Sequence, residues 1–134
     1  MKSRKRSERI QQLLNKARSE RLKRFYDTGH SLGQKWAVLP ENIEGVIRLN
    51  RLFDKCDIDD WHCWFESSER NRKIKFIEFA LILNPEWKKH GNWVEAEIWQ
   101  CQLADEAQCN VRHPIFMRGF AEGAIFVSKE TNAQ

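Results

Sequence analysis

FYDTGHSLGQKWA, residues 25 to 37, sets Gly29 and Gly33 four apart inside a stretch whose apolar spacing is otherwise helical. FMRGFAEGAIFV, residues 116 to 127, repeats the arrangement with Gly119 and Gly123. Each glycine within a helix costs ~1 kcal/mol relative to alanine, so four cost ~4 kcal/mol against a typical total stability of ~5 to 15 kcal/mol. That loss has to be offset. Glycines at i and i+4 stack on one helix face, and without side chains they let a second backbone approach closely. Both pairs are bordered alike, by Tyr26 and Phe116 before the first glycine and by Trp36 and Phe126 after the second. The expected arrangement is a first and a last helix crossing at these two grooves, with self-association through one pair as the alternative.

Working outward from the first pair, Ile10, Leu13, Leu14 and Ala17, then Leu22, Phe25, Tyr26, Gly29, Leu32, Gly33 and Trp36 recur at three- and four-residue steps, which predicts one helix over about 6 to 38. Leu39-Pro40 ends it, because the residue before a proline is pushed out of the helical region. Pro40 then suits the first position of a second helix with Ile43, Val46, Ile47, Leu49, Leu52 and Phe53 on its buried face. CDIDDWHCWFE, from Cys56, reads as a short third helix capped by Asp57, with Ile58, Trp61, Trp64 and Phe65 sharing a face. The run from Ser68 to Pro85 reads as a fourth helix, since it exceeds strand length and Asn84-Pro85 stops it. Asn92 with Glu95 three residues on has the pattern of a capping box opening a fifth helix over 92 to 107. The last helix, about 113 to 129, starts near Pro114.

Six helices without a convincing hairpin predict an all-α fold, a single-domain bundle with a long basic N-terminal helix. The 134 residues suffice for one core without staples. The expected organisation is a basic arm over 1–24, a helical bundle over 25–130 and a short tail over 131–134.

Charge divides the chain. Residues 1 to 24 hold ten Lys or Arg against two Glu, a net +8, while the other 110 residues hold 13 basic against 17 acidic side chains, a net −4. A basic N-terminal segment on a mildly acidic body points to a polyanionic partner, nucleic acid being the commonest. Arg4, Lys5, Arg6, Arg9, Lys16, Arg18, Arg21, Lys23 and Arg24 are the expected phosphate contacts, reading no sequence. The competing reading of the same segment is a solvated helix that happens to be basic.

No GxxxxGKS/T, HExxH, GxSxG, GxGxxG or CxxC pattern occurs, which lowers the expectation of an NTPase, a zinc protease or a serine hydrolase. Asp57, Asp59 and Asp60 gather carboxylates as a divalent-cation site would, but an acidic helix start is already explained by capping and the helix dipole. Cys56, His62 and Cys63, with Cys101, Cys109 and His113, are soft donors at spacings unlike those of zinc knuckles, so neither a metal nor a cofactor is expected. His30 reads as a polar edge residue. Of the six tryptophans, Trp87 and Trp93 flank a polar turn, and at least one is expected to be partly exposed as an interface aromatic. The apolar run 74–83 is too short to cross a bilayer, and the basic N-terminus carries no apolar h-region. No membrane association is therefore expected and the cytoplasm is the expected compartment.

Three functions fit this reading. The first is a non-enzymatic nucleic-acid-associated accessory protein using the arm. A helical adaptor or subunit of a larger protein assembly, using the projecting helix and exposed aromatics, is the second. The third is a metal-dependent enzyme built on Asp57, Asp59 and Asp60.

Overall fold

The computed structural model describes residues 2–55, 69–89 and 93–133. The fold is all-α. Among the described residues it comprises α1 (Lys2–Ala37), a 3-10 turn (Pro40–Asn42), α2 (Ile43–Lys55), α3 (Glu69–Leu83), α4 (Glu86–Lys89), α5 (Val94–Ala107) and α6 (Pro114–Ala133). The short third helix expected around Asp57 lies outside the described residues, as does the Ser68 cap. The single turn α4 takes up two lysines after Pro85, a helix that apolar spacing does not announce because it has no buried residue.

The packing of α1 on α6 explains both glycine pairs. A Cβ placed on Gly29 or Gly33 would come within 3.0 Å of the Phe116 or Phe120 carbonyl oxygen, and one on Gly119 or Gly123 would meet the Tyr26 or His30 carbonyl oxygen as closely. Real Cβ atoms do not stand there, so the two backbones touch only because these four residues are glycine. Residue numbers rise together along the contact, so α1 and α6 run parallel. Gly119 and Gly123 are the counterparts, 90 positions on, of Gly29 and Gly33, and the seam has an approximate two-fold axis between them. The glycine hydrogen standing in place of each Cβ points at a carbonyl, the geometry of a weak Cα–H···O contact repeated four times.

The bordering aromatics obey the same symmetry. Trp36 packs on Phe120 with ring centroids 5.6 Å apart, and Phe126 packs on His30 at 6.1 Å. One half of the seam faces the core and the other faces outward. His30 is thus a half-buried ring between Tyr26 and Phe126 rather than the polar edge residue its chemistry had implied.

Around this seam α6 is the central helix, with Phe116, Met117, Phe120, Ala121, Ala124 and Ile125 all buried, a helix apolar over most of its circumference. Phe76 and Phe79 of α3, Leu49 of α2 and Leu103 of α5 complete the main core. His113 caps α6: its Nδ1 accepts a hydrogen bond from the Ile115 amide at 3.1 Å, and Pro114 fills the first helical position.

Three expectations need correction. Pro40 opens a 3-10 turn, and α2 starts at Ile43. The buried face of α2 is Gly45, Val46 and Leu49 with Leu52 half-buried, whereas Ile43 and Ile47 are exposed. The reason is Gly45, whose missing side chain lets α2 close on the Leu83 carbonyl and the Trp36 ring, turning the face opposite it to water. Finally, α5 begins at Val94 with Trp93 as its N-cap, making no side-chain capping bond. Trp93 takes a left-handed φ of 60° and delays the helix, so Glu95 sits at its second position and cannot serve the capping box.

Candidate nucleic-acid interface

Among the described side chains of α1, Leu22 is the first packed on the core and Phe25 the first that is buried. Residues 8 to 21 are exposed throughout. At 1.5 Å per residue, α1 from Lys2 to Arg21 extends about 30 Å beyond the body as one unbroken helix. The projection follows from the parallel seam, because α6 starts level with the middle of α1, and residues 8 to 21 are exposed.

The arm has two long faces. At 100° per residue, Arg9, Lys16 and Lys23 fall within about 40° of one another and form a ridge with one cation every seven residues. Ile10, Leu13, Leu14 and Ala17 form a second stripe about a third of a turn away, with Ile10 53 %, Leu13 63 % and Leu14 58 % exposed. Arg18 and Arg21 border this stripe. Among the described residues no arm cation takes part in an ion pair; the pairs join Lys75 to Glu78, Lys89 to Glu86 and Arg118 to Glu122, each within one helix. Arg24 is already at the body, with its guanidinium 5.8 Å from the Phe25 ring centroid. The positive charge of Arg9, Lys16, Arg18, Arg21 and Lys23 is therefore available to something outside the molecule. The backbone at Arg4, Lys5 and Arg6 continues the same helix.

Of the aromatic candidates, Trp93 stands at the head of α5, 40 % exposed, and Trp87 is half-buried with its ring 5.7 Å from that of Trp99. Trp87 and Trp99, with Trp36, Leu39, Asn42 and Leu83, line an open groove of about 510 Å³ at the end of the body remote from the arm. Neither tryptophan lies beside the arm, so the arm and these rings do not form one continuous stacking platform. Asn42 lines the groove and donates from Nδ2 to the Trp36 carbonyl at 2.8 Å, a second bond to an oxygen that also accepts from the Leu39 amide at 3.3 Å.

The cysteine and histidine donors do not converge. Cys101 is exposed on the outward side of α5, Cys109 is half-buried, and the His113 Nδ1 is committed to its cap. Among the described residues no group of three or more His, Cys, Asp or Glu side chains is placed to hold a metal ion, and Asp57, Asp59, Asp60, Cys56, His62 and Cys63 lie outside them. Burial pushes the Cys109 thiol up from its ordinary pKa, with Arg24 partly opposing the shift. Cys101 therefore reacts with iodoacetamide well before Cys109; peptide mapping that shows equal rates would place Cys109 in open solvent.

The outward half of the seam carries a cluster that spacing alone does not reveal. The Tyr26 hydroxyl donates to Oε2 of Glu122, and Arg118 Nε donates to Oε1 of the same carboxylate at 3.3 Å. Burial and then the hydrogen bond to Glu122 push the Tyr26 pKa up to about 12. Tyr26 is the only tyrosine, so ultraviolet titration reads it directly, with an expected midpoint near 12. A midpoint near the ordinary value of about 10 would mean the bond to Glu122 does not form. The linkage has a definite sign: between pH about 10 and about 12 the unfolded chain loses this proton while the folded chain keeps it, so stability falls as pH rises through that window.

No protein-family model, curated protein or solved structure matches the chain. Among the described residues no helix is long and apolar enough to cross a membrane.

Proposed function

We propose that the chain is a nucleic-acid-associated accessory protein whose N-terminal helix lies along the phosphate backbone. The observation that carries this reading is the projecting arm: a solvent-surrounded helix whose Arg9, Lys16 and Lys23 ridge forms no ion pair among the described residues, with only Glu8 and Glu20 opposing ten Lys or Arg. A ridge of this kind tracks a polyanion and contacts no base edges, so binding is insensitive to sequence. If about five cations engage duplex phosphates, the binding constant falls with salt at a logarithmic slope near −4.5. Fluorescence anisotropy of the full chain on a short labelled duplex across a salt series measures it. A flat response would remove the phosphate mechanism.

The exposed Ile10, Leu13, Leu14 and Ala17 stripe favours a second reading, a helical subunit of a protein assembly, since phosphate contacts do not require apolar side chains. The two readings use different faces of one helix.

A further inference from the structure

The inward side of α5 is formed by Ala96, Gln100 and Leu103, all buried, with Ala107 half-buried on the same line. On the opposite side Val94, Ile98 and Cys101 follow one another at i, i+4 and i+7, and Val94 and Ile98 are 45 % and 46 % exposed. Asp105 continues this outward line, Glu95 and Glu97 flank it, and residues 94–107 contain four acidic side chains with no Lys or Arg. An amphipathic surface helix would carry only polar residues here.

We infer that the outward face of α5 is the docking site for the N-terminal arm of a second copy of this chain. The two surfaces match in length and pattern: Ile10, Leu13, Leu14 and Ala17 on the arm are spaced to lie along Val94, Ile98 and Cys101. They match in charge, the arm segment being +8 and α5 carrying only acids. Arg18 and Arg21, which border the arm stripe, would stand beside the carboxylates that border the α5 stripe. Of the ways these two stripes can pair between copies, arm on arm sets two strongly cationic helices together and α5 on α5 sets two acidic ones together. Only arm on α5 is attractive.

Pairing within one chain is excluded by the geometry, because the arm is the continuation of an unbroken α1 directed away from its own body. Reciprocal exchange of arms closes a two-fold dimer. The inference goes beyond the phosphate reading and does not need it, since docking uses the apolar stripe and leaves the Arg9, Lys16 and Lys23 ridge outward.

Sedimentation equilibrium of the nuclease-treated full chain tests it, together with the Ile98→Lys variant and with Leu14→Cys, which allows a bismaleimide crosslink to the native Cys101. The expected results are concentration-dependent self-association weakened by added salt, about tenfold or greater loss of association in Ile98→Lys with an unchanged thermal melt, and a peptide-mapped intermolecular link from position 14 to Cys101. A monomer at every concentration overturns the inference. So does association that Ile98→Lys leaves intact, or that disappears with nuclease because nucleic acid had bridged the copies. Duplex binding by Ile98→Lys at the parent affinity is expected in addition, which separates failure of this interface from failure of the phosphate reading.

Discussion

Replacing Gly33 with alanine lowers the stability of the chain by about 3 kcal/mol or more, although alanine is the better helix former by about 1 kcal/mol. The added methyl group meets the Phe120 carbonyl, carbonyl carbon and Cα, all of them backbone in a helix buried on most sides. No rotamer change relieves that clash. Either the seam opens, exposing Phe116, Phe120 and Trp36, or α6 shifts and disturbs its packing on α3 and α5. A fall in melting temperature of roughly 10 °C or more follows, and Gly33→Leu or Gly123→Leu should leave no cooperative transition. Ser31→Ala, on the exposed side of the same helix turn, supplies the control and should change stability by less than about 0.5 kcal/mol. A Gly33→Ala protein melting at or above the parent temperature would show that α1 and α6 do not touch backbone to backbone.

The second large effect is on binding. Changing Lys5, Arg9, Lys16 and Lys23 together to glutamine should reduce duplex affinity by about three orders of magnitude near 0.1 M salt and bring the logarithmic salt slope from near −4.5 to about −1. Arg9, Lys16 and Lys23 are exposed and form no ion pair among the described residues, so the melting transition should stay where it is. Loss of affinity with an unchanged slope would mean that these side chains do not displace counterions. The proposed ridge would then be the wrong surface.

The parts of the fold legible in the sequence are those where one local pattern has one packing solution. The paired glycines with their flanking aromatics implied a backbone contact, and the contact is there on both sides. The arm was expected to run to residue 24, whereas α1 is already packed on the core at Leu22. Patterns that depend on a distant neighbour were not legible. Ile43 and Ile47 have the spacing of a buried face, yet Gly45 decides the rotation of α2 through contacts with Trp36 and Leu83, which no periodicity in residues 43–55 can express. The Asn92 and Glu95 pair fits a capping box only if the helix starts one residue earlier than the left-handed Trp93 allows. Tyr26 meets the intrahelical Arg118–Glu122 pair because the helices are parallel, a direction that GxxxG spacing leaves open.

The parallel seam also dictates an order of events during synthesis. The carbonyls that fit Gly29 and Gly33 belong to residues that follow almost 90 positions later, so α1 leaves the ribosome with its groove empty and waits for α6. Contacts this distant along the chain are slow to form, and α2, α3 and α5 have no central helix to enclose until then. Closure of the seam should therefore wait until α6 has emerged. In a crowded polysome, the waiting groove of one nascent chain is a ready receptor for the finished α6 of another.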